Sequence, residues 1–249
     1  MSVHEAAARG FGAAAEAYDR ARPDYPDQAI DRLIQELEIN RAATLLDLAA
    51  GTGKLTRQLI PTGARVVAVE PVEAMRARLP QELGHLEVVA AVAEALPFGG
   101  DSFDGVLVAQ AFHWFDGARA LGEIHRVLKP SGRLALLWNV RDESVEWVRR
   151  LGEIFDRYER EVPREKTGEW RRAFTVTDYF GTLHQLRFQH AQRLDRDGLV
   201  ERVASTSFVA SLAEGERDEV LQQVRGLADE VGDEIVLPYV TELYWTSKI

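Results

Sequence analysis

Five apolar runs, parted by helical patterns except for the loop AEALPFGGDS between the third and fourth, constrain this chain more than any other feature. They are ATLLDLA (43–49), ARVVAVE (64–70), LEVVAAV (86–92), FDGVLVA (103–109) and RLALLWN (133–139). Runs this short and this poor in charge suit strands buried on both faces. Strands that alternate with helices build a parallel sheet covered by those helices. The first run passes through a glycine turn into a short helix reaching Ile60. Pro71 opens the next helix, where its missing N–H does no harm. The run ARALGEIHRVL is helical and stops at the turn KPSG.

Beyond Asn139 the rhythm changes. ESVEWVRRLGEIFDRYER sets Val148, Leu151, Ile154, Phe155 and Tyr158 at helical spacing, with charges between them. HQLRFQHAQRL alternates weakly, as a strand with one wet face would. In SLAEGERDEVLQQVRGLADEV, Ser211 stands three residues before Glu214 in the capping-box pattern. Val220, Leu221, Val224, Leu227 and Val231 share one side of the same segment. LPYVTELYWTSKI closes the chain as another strand. No linker and no internal repeat interrupts the 249 residues, so one domain is expected.

Composition removes several chemistries. There is no cysteine, hence no disulfide, thiolate metal site, iron–sulfur cluster or cysteine nucleophile. A net charge of −10 opposes a long nucleic-acid partner, because phosphate binding wants a basic face. No stretch approaches the ~18 uninterrupted apolar residues of a membrane span. MSVHEAAARGFGAAAEAYDR is Ala-rich but broken by charges, without the apolar centre of a secretory signal. A cytoplasmic location is the expectation.

The segment LLDLAAGTGKLT holds the strongest chemical signal. A strand runs to Asp47; Ala49, Gly51 and Gly53 then keep the turn small, and a helix starts at once. Small residues let a ligand touch the backbone, and the helix N-terminus offers unpaired N–H groups. A P-loop reading fails, because Leu48 stands where the first glycine belongs and Leu55 where the hydroxyl belongs. A dinucleotide fingerprint finds Gly51 and Gly53 but Thr56 in the third glycine's place, and it stays open. Asp47 shifts the balance, since a carboxylate four residues before Gly51 repels a pyrophosphate and attracts a ligand with an ammonium and a sulfonium. Glu70, ending the second run, suits both ribose hydroxyls, a feature shared with NAD proteins.

Together with VVAVEPVEAM, AEALPFGGDSFDGVLVAQAFHWFD and EIHRVLKPSGRLALLWN, this segment resembles the class I S-adenosylmethionine-dependent methyltransferases. Within them the chain is similar to the small-molecule branch that includes trans-aconitate methyltransferase-like proteins, and AYDRARPDYP (17–26) adds to that likeness. The resemblance runs over roughly residues 10–140. It implies an α/β fold: a Rossmann-like, doubly wound, mostly parallel seven-stranded sheet with helices on both faces and a helical cap. It also implies a division of the single domain, residues 1–249, into four parts. These are an N-terminal helical flap (1–40), a cofactor-binding core (41–140), acceptor-pocket helices with a sixth strand (141–235) and a final strand (236–249).

By position, the resemblance implies S-adenosyl-L-methionine as the cofactor. Asp47 then neighbours the methionine ammonium, while Ala49, Gly51 and Gly53 line the amino-acid and ribose path. Glu70 takes the ribose hydroxyls, and Pro71 and Met75 flank the adenine. Ala93 offers its N–H to the adenine, with Glu94 close by. Many relatives carry an acidic residue just before this Ala-Glu pair; here it is Val92. Glu94 or a backbone carbonyl is left to accept from the adenine amino group.

The fourth run ends in QAFHWF, beyond the carboxyl end of a strand, where open parallel sheets bind ligands. Gln110 is expected beside the cofactor. Phe112, Trp114 and Phe115 either form the lip of the site or cap the core. The turn lacks the Pro-Pro-aromatic pattern that holds a base amine, and pyrimidine C5 methylation lacks its cysteine. A small organic acceptor remains, methylated at carbon, oxygen or nitrogen, with oxygen of a carboxylate or hydroxyl as the first expectation. A carboxylate needs no base; a hydroxyl uses one, and His113 is the first candidate. Arg22, Arg141 and Arg171 are candidates to fork an anionic acceptor. Phe11, Tyr18 and Tyr25 belong with Arg22 to a flap whose aromatic faces suit a sulfonium. The expected partner is a small molecule, with no nucleic acid, membrane or metal, and monomer and homodimer both stay open. The rival readings are an NAD(P)-dependent oxidoreductase and a non-catalytic cofactor-binding protein on the same fold.

Overall fold

The computed structural model of the chain describes residues 21–79, 83, 86–158 and 165–249. Its strands are β1 (Thr44–Leu48), β2 (Arg65–Val69), β3 (Glu87–Val89), β4 (Phe103–Ala109), β5 (Leu128–Arg141), β6 (His184–Leu194) and β7 (Ile235–Ser247). They form a seven-stranded sheet in the order β3-β2-β1-β4-β5-β7-β6. The first five pair in parallel, and β7 lies antiparallel between β5 and β6. The order therefore reverses between β1 and β4.

Alternation along each strand sorts the core into two layers. Leu46, Val67, Val106 and Leu134 face one way; Leu45, Val66, Leu107 and Ala135 face the other. Helices α1 (Asp27–Glu36) and α2 (Lys54–Leu59) cover the second face through Ile30, Leu33, Leu55 and Leu59. A single turn, α3 (Glu73–Arg76), follows β2. Helix α4 (Gly117–Val127) covers the first face, with Ala120, Leu121, Ile124 and Val127 fully buried. This is the doubly wound arrangement with helices on both faces.

The helices after β5 are α5 (Glu146–Asp156), α6 (Arg172–Thr175), α7 (Arg196–Ala204), α8 (Ser207–Ser211) and α9 (Glu214–Val231). Four of them enclose a third apolar cluster, contributing Leu151 and Phe155, Leu199 and Val203, Val209, and Val220 and Val224. Leu237 and Tyr239 of β7 complete it. The chain between β6 and β7 thus forms a helical cap on the end of an antiparallel ribbon.

Three local expectations differ from the structure. Strand β5 begins at Leu128, not Arg133, because the KPSG turn is looped out within it: Phe103 pairs with Leu128 and Gly105 with Arg133. Ser211 caps nothing. It ends α8, where its Oγ donates backwards to the Phe208 carbonyl at 2.8 Å, and Ala213 occupies the N-cap of α9. Strand β3 is only three residues long, and Val92 beyond it forms an isolated bridge with Ala95. The weak alternation of β6 does mark an edge strand with one wet face.

Ile124 is fully buried between α4 and the sheet. Ile124→Ala should lower the unfolding free energy by about 2–4 kcal/mol, read as a lower urea midpoint at unchanged slope.

Candidate active site

At the reversal in strand order, β1 and β4 both leave the sheet through a non-glycine residue with left-handed backbone. Ala49 has φ 59° and Gln110 has φ 59°. Such a backbone costs an L-residue roughly 1–2 kcal/mol and gathers at functional sites. It also explains how the chain turns at Gln110 with no glycine or proline to help. Ala49, Gly51 and Gln110 line one cleft of about 530 Å³, counting the part open to solvent. Arg22 and Tyr25 line it too.

Gly51 and Gly53 do different jobs. Both have positive φ, 60° and 87°. A Cβ at Gly51 would meet nothing within 4 Å and would intrude on open cleft, whereas one at Gly53 would lie 2.6 Å from Leu79 Cδ2. Gly53 is also the N-cap of α2. The first glycine leaves room for a ligand; the second permits close packing.

A strap preceding α1 closes one side. The Gln58 side chain of α2 accepts from Tyr25 N at 3.2 Å and donates to Tyr25 O at 2.8 Å. Asn139 Nδ2 donates to Asp24 O at 3.2 Å, and Gln192 Nε2 donates to Ala21 O at 3.0 Å. Lys54 pairs with Asp24 at 3.0 Å.

Two buried carboxylates underlie the turn. Asp47 is fully buried on the Leu45 face, so it sits beneath the cleft and does not line it. Its Oδ2 accepts from Thr56 Oγ1 at 2.5 Å, while Oδ1 has no hydrogen-bond partner. Burial pushes its pKa up to about 6; the Thr56 hydrogen bond opposes that rise and the Glu70 charge adds to it. Glu70, also buried, clamps two turns at once: Oε2 accepts from Gly51 N and Oε1 from Val72 N, both at 2.8 Å. Burial raises the Glu70 pKa although those two N–H groups pull it down. Behind it Arg76 donates to the carbonyls of Glu70 and Pro71 at 2.9 and 3.0 Å, and Met75 is buried.

The remaining candidates are spread more widely. Ala93 is buried, and Glu94 Oε1 accepts from Asp116 N at 2.8 Å, which commits that carboxylate to the N-terminus of α4. Phe112 belongs to the core, edge-on to Trp170 and Phe115. His113 Nδ1 faces Trp138 Nε1 at 3.2 Å, and burial lowers its pKa to about 4. The ring is therefore neutral, accepts at Nδ1 and holds its proton at Nε2. Trp114 is half-buried beside it, with ring centroids 5.1 Å apart. Arg141 lies over the Phe155 ring at 4.3 Å, and Arg171 lies between Trp170 and Tyr244 at 4.6 and 4.9 Å. None of His113, Trp114, Arg141 and Arg171 lines the cleft. Phe11 and Tyr18 lie outside the described residues.

Among the cleft residues that sequence reasoning did not single out are Asn139 and Arg202, both remote in the chain from the glycine turn. Asn139 ends the fifth apolar run, so the rule that ligands gather at strand ends already pointed to it. Arg202, inside the helix α7, carries no local signal.

Known proteins bear on this geometry. A methyltransferase domain family is matched over residues 46–136. An uncharacterised methyltransferase of Mycobacterium tuberculosis (strain H37Rv) is 41% identical over 242 residues, spanning 93% of this chain and 92% of that protein. The chain belongs to the class I S-adenosylmethionine-dependent methyltransferases. The YcgJ protein of Bacillus subtilis shares this fold with a TM-score of 0.60 at 20% identity, over 90% of this chain and 99% of that one. So does geranyl diphosphate C-methyltransferase of Streptomyces coelicolor, with a TM-score of 0.51 at 17% identity over 90% and 79% of the two chains. Membership of this family does not favour the oxidoreductase reading. The methyltransferase turn fits an adenosyl cofactor bearing a cation: Gly51 leaves open space, and Asp47 Oδ1 is a buried acceptor awaiting a donor. Among the described residues no group of three or more His, Asp or Glu could hold a metal ion, and no helix is long and apolar enough to cross a membrane.

The raised Asp47 pKa makes a signed prediction. The folded state holds this proton more tightly than the unfolded chain, so the contribution to stability is complete below pH 3.8 and is lost as pH rises through about 6. Asp47→Asn removes that loss. From pH 4 to pH 8 the variant should gain on the wild type by on the order of 2–3 kcal/mol in urea unfolding.

Proposed function

We propose that the protein transfers a methyl group from S-adenosyl-L-methionine to an oxygen of a small organic molecule, a carboxylate in preference to a hydroxyl. The observation that carries this choice is the state of His113. Its Nδ1 accepts from Trp138, its Nε2 keeps the proton, and its pKa of about 4 leaves little affinity for another. A carboxylate nucleophile needs no base, whereas a hydroxyl acceptor gains from one. His113 is read here as a positioning group for Trp138.

When bound, S-adenosyl-L-methionine supplies an electrophilic methyl group on a sulfonium. The chain's own part is alignment and exclusion of water. Ala49, Gly51 and Gly53 present backbone to the amino-acid and ribose portion, and the remaining Glu70 lone pairs face the ribose hydroxyls. Pro71, Met75 and Ala93 flank the adenine. Because Glu94 is committed to Asp116 N, a backbone carbonyl beside Val92 accepts from the adenine amino group. Gln110 borders the transferring end, and the strap with Arg22 and Tyr25 excludes solvent. Alignment of this kind is worth effective molarities of ~10⁵–10⁸ M, and a dry pocket favours a step in which opposite charges cancel. The likeness to trans-aconitate methyltransferase-like proteins, and a cytoplasmic small-molecule acceptor, belong to this proposal.

Transfer of labelled methyl to a panel of small acids, phenols and amines tests it. Methyl esters lose their label as methanol in mild alkali; ethers, amines and C-methyl products keep it. An alkali-stable product would end the carboxylate reading. His113→Gln should leave kcat within about threefold, because loss of a true general base costs 10²–10⁴-fold. Gln110→Ala should weaken S-adenosylhomocysteine binding about tenfold by calorimetry, the worth of one or two hydrogen bonds.

A further inference from the structure

The cleft walls carry a charge pattern opposite to that of the chain. The protein has a net charge of −10, yet the charged side chains lining the cleft are Arg22, Lys54 and Arg202, and among the described residues no Asp or Glu lines it. Cations gathered in a low-dielectric crevice focus potential for an anion. Lys54 already pairs with Asp24. Arg202 stands apart. It is only 4% exposed, its Nε donates to Tyr239 Oη at 2.9 Å, and its buried Nη1 has no hydrogen-bond partner. Among the described residues no carboxylate pairs with it. Its guanidinium also lies 5.8 Å from the Tyr239 ring centre.

A buried guanidinium with an idle donor is strongly unfavourable unless something supplies an acceptor. The surrounding residues fix it without neutralising it. Tyr239 is stacked on His190 with centroids 5.4 Å apart. His190 Nε2 lies 3.2 Å from Asn139 Oδ1, which also accepts from Thr241 Oγ1 at 2.6 Å. Neutral groups thus hold the Arg202 head in place at the cleft and leave its charge for a ligand.

We propose that Arg202 anchors a carboxylate of the acceptor, at a point other than the oxygen that receives the methyl group. The inference rests on the methyltransferase reading above and deepens it. A carboxylate in the cleft has two sources, the acceptor and the methionine end of the cofactor, and topology separates them. The turn that suits the cofactor lies on β1 and β2, while Tyr239 belongs to β7, three strands beyond β1 in the sheet. Three strand spacings are about 14 Å. Arg202 therefore enters from the cap, on the acceptor's side. An ion pair on the reacting oxygen would withdraw its electrons, so the anchored group is a second anionic site, and the acceptor carries both.

The test begins with wild-type protein saturated with S-adenosylhomocysteine, titrated in a cationic buffer with succinate, glutarate and phthalate and with their diamides. At least one acid should bind tenfold or more tightly than its amide; a panel with no such preference overturns the proposal, whether or not any variant folds. Arg202→Gln should abolish that preference and leave S-adenosylhomocysteine affinity within threefold, and Arg202→Lys should restore part of it. Loss of S-adenosylhomocysteine affinity in Arg202→Gln, with none for its decarboxylated analogue, would assign the residue to the cofactor and overturn the acceptor assignment. Failure of wild-type protein to bind S-adenosylhomocysteine at all would instead overturn the methyltransferase reading of the cleft.

Discussion

Strands β1 and β4 lie side by side, yet the helices that follow them go to opposite faces of the sheet. Leu55 and Leu59 of α2 join the cluster around Leu45, whereas Ile124 and Val127 of α4 join the one around Leu46. Two neighbouring strands that part in this way leave a crevice that neither helix can fill. Both exits bend at once, and both do so through left-handed backbone, at Ala49 and Gln110. The rest of the site depends on holding that parting open. Glu70 does so from below by tying Gly51 N and Val72 N to one carboxylate. Gln58 and Asn139 do so from the side by fixing the strap.

The electrostatics follow from the same geometry. Alternation along β1 sends Asp47 to the α2 face, under the turn, where Thr56 reaches it. A carboxylate there cannot be solvated, which explains its raised pKa. The cleft surface above is left to Arg22, Lys54 and Arg202. Expecting a carboxylate near the ligand's ammonium located Asp47 at the strand end; the structure sets it under the turn, against Thr56, with Oδ1 left without a partner. Spacing locates a residue along a strand; only the pleat and the packing of α2 decide what it faces.

This division marks how far the sequence could be read. The five parallel strands, the helices between them and the wet edge strand β6 were legible, because burial on two faces or one writes itself into every second residue. The glycine turn announced itself by its small residues and Gln110 by its place at a strand end, and Ala49, Gly51 and Gln110 line one cleft. The Ser211 capping box was not legible, since the pattern is local but its use depended on whether a helix had just ended there. The bond from Asp116 N to Glu94 was equally out of reach, since its two ends are 22 residues apart in the chain. Arg202 was invisible, because nothing in LVERVAS distinguishes a cation that enters a cleft from one that enters water.

The ribbon formed by β5, β7 and β6 links these parts into a working order. It extends past the parallel core, carries the cap at its end, and holds the chain of contacts from Arg202 through Tyr239, His190 and Asn139. Asn139 also grips Asp24 O, so the strap and the cap share one polar joint. The bonds that shape the glycine turn lie elsewhere, within β1, β2, α2 and the start of α3. The two sets have no side chain in common. On the proposed reading, the part that suits the cofactor and the part that meets the acceptor lie on different stretches of the sheet, set apart by where strand β7 is inserted.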